Sequence, residues 1–274
     1  MVLSHVQIRG SVPCMAICLT PTKSVFVVFW EQTGLQLTSH RINITRGLAA
    51  TRPSFERHFE HELTIYGGSV AILSLLSQDA DGEKLLSDTY HRQVLDLGLS
   101  SEQLRWISLD FNRILNAYGG SLHGVKEWIS GKTMSDIITN FGLTVMDAQG
   151  LLTEKQSGVF RVNCIDCLDR SNVVQGLIAS FVLDTLISRK LPESARQFLS
   201  IANQRLGIRW SENGDALAQI YAGSGAMKNS LLQSSGTTWK SLFVDAQKAV
   251  QRAVASNFTD QSKHIAIHGT LPRI

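Results

Sequence analysis

The sequence predicts an α/β fold, a mixed central sheet flanked by helices. Two observations carry this reading. Short runs rich in β-branched and aromatic residues alternate with segments of helical periodicity, the pattern of layered α/β proteins. Residues 158–163, GVFRVN, alternate like a strand and lead through a short loop into 171–190, SNVVQGLIASFVLDTLISRK, which is apolar over most of its girth and therefore a buried helix.

The other elements follow in chain order. SVFVVFW at 24–30 reads as a strand. SFERHFEHELTIY at 54–66 places Phe55, Phe59, Leu63 and Tyr66 on one stripe and reads as a helix that Gly67-Gly68 ends. SVAILSLL at 69–76 is a short apolar run, the mark of a buried strand. A turn is expected at 77–83, then a helix at 84–97 that Gly98 stops. LRWISLDF at 104–111 reads as a strand, 121–140 as one or two helices, and FGLTVMD at 141–147 as a strand. Arg189 and Lys190 suit the end of the 171–190 helix ahead of Pro192, and further helices are expected at 193–206 and 239–258.

Composition narrows the function classes. The 274 residues are 43% hydrophobic and 18% charged, which excludes a disordered chain. Lys+Arg 26 against Asp+Glu 23 gives +3, too mild for a strong polybasic nucleic-acid footprint, so no nucleic acid is expected as a partner. Four cysteines, paired as Cys14/Cys18 and Cys164/Cys167, do not make a disulfide framework, and a reducing, cytoplasmic setting is expected. The first residues carry no apolar stretch behind a basic start, so no secretory leader is expected. The apolar runs Cys14–Leu19 and Val25–Trp30 fall far short of the ~20 residues of a membrane span.

The chemistry concentrates between the predicted strand and the long helix, at Cys164-Ile165-Asp166-Cys167-Leu168-Asp169-Arg170-Ser171, a C-x5-R-S pattern. Successive backbone N–H groups of such a loop, at a helix N-terminus, can curl around one anion. The same field and a nearby guanidinium lower a cysteine pKa, so that a thiolate exists at neutral pH and can take a phosphoryl group. An arginine can grip two phosphoryl oxygens at once, and a serine after it can donate to the departing sulfur. Two other readings compete. Zinc would need a second ligand pair, but Cys14 and Cys18 are differently spaced and no Cys/His cluster of finger spacing occurs. Thioredoxin-like chemistry suits the C-x-x-C spacing, but Asp166 puts a carboxylate between the thiols and opposes a low pKa. No hard-metal ligand set is present, and no cofactor is expected.

Residues 161–175, RVNCIDCLDRSNVVQ, closely resemble the R-x-N-C-x-D-C-L-D-R-T-N signature of SAC-domain phosphoinositide phosphatases, with Ser171 in place of the threonine. HVQIRGSVP at 5–13, FWEQ at 29–32, SFERHF at 54–59, YGG at 66–68, DFN at 110–112 and WSENGDALAQIYAGSGAMK at 210–228 are similar to further blocks of the family, and 245–265 is most similar to the synaptojanin-type branch. The resemblance implies that residues 1–274 form the catalytic region, without the family's N-terminal subdomain, and that 14–28 is an insertion; removing 14–27 is then expected to give a protein at least as stable and as active, the alternative being an authentic extra hairpin. It implies hydrolysis of a phosphomonoester from an inositol-lipid head group through a cysteinyl-phosphate. Phosphatidylinositol 4-phosphate, 3-phosphate and 3,5-bisphosphate are left unranked.

Cys164 would be the nucleophile and Arg170 the clamp, with Ile165, Cys167, Leu168, Ser171 and Asn172 lining the substrate. The general acid stays open between Asp166, the first choice, and Asp169, the other being expected to shape the loop. Trp210, Asn213 and Asp215 are expected to brace the loop from behind, and His58 and His61 to be structural. Lys126, Lys132 and Lys155 are read as solvated, or as contacts to acidic head groups. The partners implied are phosphoinositide lipids at the cytosolic face of membranes, met peripherally. The alternatives are a non-catalytic phosphoinositide-binding fragment and, less favoured because no histidine precedes Cys164, a protein phosphatase.

Overall fold

The computed structural model describes residues 4–7, 16–19, 22–23, 28–33, 41–66, 68–147, 149–165, 167 and 169–222. Its central sheet contains strands β3 (Thr22–Lys23), β10 (Val159–Asn163), β6 (Val70–Ser74) and β7 (Leu104–Ser108), in that spatial order. Every pairing in it is parallel, so the expectation of a mixed sheet is corrected. The reason lies in the connections: long helical crossovers follow β6 and precede β10, and such crossovers return the chain in the same direction. Antiparallel pairing is confined to two other sheets. One comprises β1 (Ser4–Gln7), β2 (Ala16–Leu19), β8 (Thr144–Met146) and β9 (Leu152–Glu154); the other is the pair β4 (Trp30–Thr33) and β5 (Arg41–Ile44).

β6 and β10 are buried at all five positions; β6 is apolar up to Ser74, whereas β10 alternates Phe160 and Val162 with Arg161 and Asn163. Helices cover both faces. On one lie α1 (Leu48–Tyr66) and α2 (Asp81–Asp96), whose Phe55, Phe59, Leu86 and Tyr90 pack on Val70, Ile72 and Val159. On the other, α4 (His123–Ser130), α5 (Lys132–Phe141), α6 (Asp169–Val182) and α9 (Leu199–Ala222) enclose Ala71, Leu73, Phe160 and Val162. Each fully buried Leu, Ile or Phe there contributes roughly 1.5–3 kcal/mol. The short α3 (Phe111–Ala117) follows β7. Gly158 admits β10 to this packing, since a Cβ there would stand 2.3 Å from the Phe141 ring.

Several boundaries differ from the sequence reading. α1 begins at Leu48 and carries Pro53 in its second turn, where the missing N–H removes one bond of the ladder, to the Ala49 carbonyl. The 171–190 helix begins at Asp169 and is interrupted by a π turn at Leu183–Ile187 before α7 (Ser188–Lys190). The next helical segment divides into α8 (Glu193–Arg196) and α9, and α9 runs on through Gly207 and Gly214. Only Trp30 of the strand expected at 24–30 is in a strand, and 24–27 and 239–258 lie outside the described residues. Asp169–Lys190 is long and apolar enough to cross a membrane, but 67% of its most apolar window is buried inside the protein, which suits a core helix.

The stretch 14–28 is paired on two sides. β2 joins β1 to β8, and β3 forms the edge beside β10, with Arg161 opposite Thr22 and Val162 opposite Lys23. Removing 14–27 would take both strands out of their sheets, and a melt of the deleted protein tests whether the stretch is dispensable.

Candidate active site

Parallel α/β sheets bind ligands outside the carboxyl ends of their strands, where connections leave in opposite directions. Here that point lies between β6 and β10: β6 continues into α2 on one face, and β10 continues into α6 on the other. The loop from Cys164 to Arg170 emerges there.

Cys164 is the first residue after β10 and is fully buried, with its N–H directed to Cys167 Sγ at 3.3 Å. Cys167, also buried, donates its thiol to the Cys164 carbonyl at 3.1 Å and adopts φ +52, a left-handed conformation that costs a non-glycine residue about 1–3 kcal/mol. That backbone turns the chain back over the strand end. Ile165 is half-buried against the α1/α2 side. Asp166 and Leu168 lie outside the described residues. Asp169 opens α6, buried, where a carboxylate suits the helix N-terminus. Arg170 follows in the same turn.

The Arg170 guanidinium forms a two-pronged pair with Glu83 near the start of α2, with contacts of 2.9 and 3.0 Å, and it reaches the Leu75 carbonyl at 3.4 Å. Ser171 is fully buried and its hydroxyl has no partner among the described residues, an arrangement that native cores seldom leave without a use. Asn172, fully buried, is engaged by α9. Its amide donates to the Trp210 carbonyl at 2.9 Å and accepts from Asn213 Nδ2 at 3.0 Å. Trp210 and Asn213 thus brace the first turn of α6 from behind, as expected.

Behind β10 a second polar set was not foreseen. Arg161 is fully buried. Its Nε donates to His58 Nε2 at 3.0 Å and its Nη1 to Asn163 Oδ1 at 2.7 Å and to the Tyr90 hydroxyl. The guanidinium also lies 5.6 Å from the Phe59 ring and 5.4 Å from that of Tyr90. Burial, then the charges of Arg161 and His61, lower the His58 pKa to about 4, so its imidazole stays neutral and can accept from Arg161. Burial outweighs Arg161 at Tyr90 and raises its phenol to about 12. The signal for this network was the placement of Arg161 and Asn163 two apart on one face of an otherwise apolar strand. His61, Lys126, Lys132 and Lys155 are exposed. Among the described residues no group of three or more His, Cys, Asp or Glu could hold a metal ion.

Comparison with known proteins fits this arrangement. The family described as the SacI homology domain matches residues 1–116. Inositol-1,4,5-trisphosphate 5-phosphatase 1 of Schizosaccharomyces pombe is 32% identical over 272 residues, spanning 99% of this chain and 23% of that protein. The chain is similar to the SacI homology family over residues 1–116. Synaptojanin-1 of Rattus norvegicus is 32% identical over 269 residues, 97% of this chain and 15% of the relative. Phosphatidylinositide phosphatase SAC2 of Homo sapiens is 32% identical over 266 residues, 97% of this chain and 21% of the relative. The chain thus spans less than a quarter of the length of these curated relatives.

Proposed function

We propose that this chain is a phosphoinositide phosphatase that works through a cysteinyl-phosphate. The observation that carries the reading is the placement of Cys164 and Arg170 at the two ends of one loop, at the carboxyl edge of a parallel sheet where its connections diverge. The relatives' names, an inositol-trisphosphate phosphatase and a phosphatidylinositide phosphatase, support the substrate class.

In this reading the Cys164 thiolate attacks phosphorus while the bond to the inositol oxygen breaks. Asp166 donates a proton to that oxygen. Arg170 and the loop's N–H groups hold the equatorial oxygens. Water then attacks the cysteinyl-phosphate, Asp166 takes its proton, the S–P bond breaks and inorganic phosphate leaves. The Ser171 hydroxyl, without a partner among the described residues, supplies a hydrogen bond to the sulfur as it departs. Asp169, at the head of α6, shapes the loop. The lipid substrate would bring the protein to the cytosolic face of a membrane, where exposed Lys126, Lys132 and Lys155 can meet acidic head groups.

A second reading is binding without catalysis. It draws on the full burial of Cys164 and on the engagement of Arg170 by Glu83. Phosphate release from a panel of phosphoinositides, with a phosphotyrosine peptide alongside, decides between them. Release from at least one lipid and none from the peptide is expected. Lipid binding without release would establish the second reading.

A further inference from the structure

A line of polar contacts crosses the carboxyl ends of β7, β6 and β10. Asp110 follows β7 and caps α3, its Oδ1 accepting from the Arg113 N–H at 2.9 Å. Its Oδ2 accepts from the Gln78 N–H at 2.9 Å and from the Ser77 hydroxyl at 3.1 Å, both in the loop after β6. Burial alone would raise the Asp110 pKa. The two N–H groups, the Ser77 hydroxyl and the charge of Arg113 together hold it below its ordinary value. The Ser77 N–H in turn donates to Glu83 Oε2 at 2.6 Å, and Glu83 pairs with Arg170.

We infer that Glu83 is a positioning residue that fixes the plane of the Arg170 guanidinium for phosphoryl transfer. The inference rests on the reading of Arg170 as the phosphoryl clamp. An arginine side chain is long and loses considerable rotamer freedom when it must act in one orientation. A carboxylate bonded to two of its nitrogens sets both its plane and its reach. Glu83 can do this because it is itself held by Ser77, which Asp110 holds. The side chains of Arg170 and Glu83 are only 14% and 15% exposed, so this is not a screened surface pair. A buried ion pair adds little net stability, and what it supplies is geometry. α2 and α6 approach from opposite faces of the sheet, so the contact ties the loop to both.

The charge makes the role separable from a structural one. A carboxylate beside the site repels the incoming phosphate, so it weakens ground-state binding while organising the clamp for the transition state. Glu83→Gln keeps the side chain's shape and removes the charge. Its kcat is expected to fall on the order of tenfold to a hundredfold, with KM unchanged or lower. Inorganic phosphate, titrated by calorimetry, should bind it as well as or better than the parent. Glu83→Asp keeps the charge with a shorter reach and should lie between the two. Thermal melts confirm that the variants are folded. A Glu83→Gln protein with kcat near the parent's, or with its loss wholly in KM, would overturn the positioning role and leave the phosphatase reading standing. A parent that releases no phosphate from any phosphoinositide would overturn both.

Discussion

The two faces of the central sheet are built differently, and β10 shows the difference within five residues. Phe160 and Val162 face α5 and α6 in an apolar layer, with the Phe160 ring 5.1 Å from that of Phe141. Arg161, on the other face, is as deeply buried but is held by an imidazole, a phenol and an amide from α1, α2 and the strand itself. The first face supplies burial energy and tolerates any packing of about the right volume. The second supplies direction. A slip of β10 by one residue would put Arg161 into the apolar layer, so the network specifies the register that delivers Cys164 to the strand end. The candidate site stands where the two faces meet, its loop starting from β10 and its arginine tied to α2.

The largest expected effect comes from removing what both faces share. Deleting 14–27 takes β3 from the edge of β10 and β2 from the second sheet, and should lower the thermal midpoint more than any single substitution below. An unchanged melt would return the stretch to the status of a dispensable insertion. Arg161→Met comes next. It leaves His58, Tyr90 and Asn163 without the donor they face, and should cost on the order of 3 kcal/mol in urea unfolding. Phe160→Leu, its neighbour on the apolar face, should cost only about 1 kcal/mol. Equal costs would erase the distinction between the faces.

A further effect is a pH dependence. His58 has a pKa of about 4 in the fold against 6.5 in the unfolded chain, so below pH 6.5 the unfolded chain takes up a proton that the fold refuses. Stability should therefore fall as pH drops from about 6.5 toward 4. His58→Gln, which can still accept from Arg161, should flatten that slope in urea midpoints measured across the range.

Much of this was legible in the sequence, for reasons that particular residues make clear. β6 stood out because a strand buried on both faces is apolar nearly throughout, β10 because its residues alternate, and α6 because it is apolar over most of its girth. The loop stood out because its chemistry is local: Cys164, Arg170 and Ser171 lie within eight residues. Glu83 was not legible, since its partner is 87 positions away and its own surroundings read only as a turn running into a helix. Arg161 sat in plain view within the signature, yet its burial depends on His58 and Tyr90, which the fold brings from 103 and 71 positions away. The engagement of Asn172 by α9 was likewise set by packing that no local pattern records.

The central claim is that Cys164 carries the phosphoryl group. It is tested most directly by rapid acid quench of the protein turning over a phosphoinositide labelled with radioactive phosphorus in the scissile phosphate. The prediction is acid-stable label on the parent chain, in the peptide containing Cys164, and none on Cys164→Ser, whose phosphate release should vanish. Release by Cys164→Ser within about tenfold of the parent, or label on a peptide other than the one containing Cys164, would contradict it.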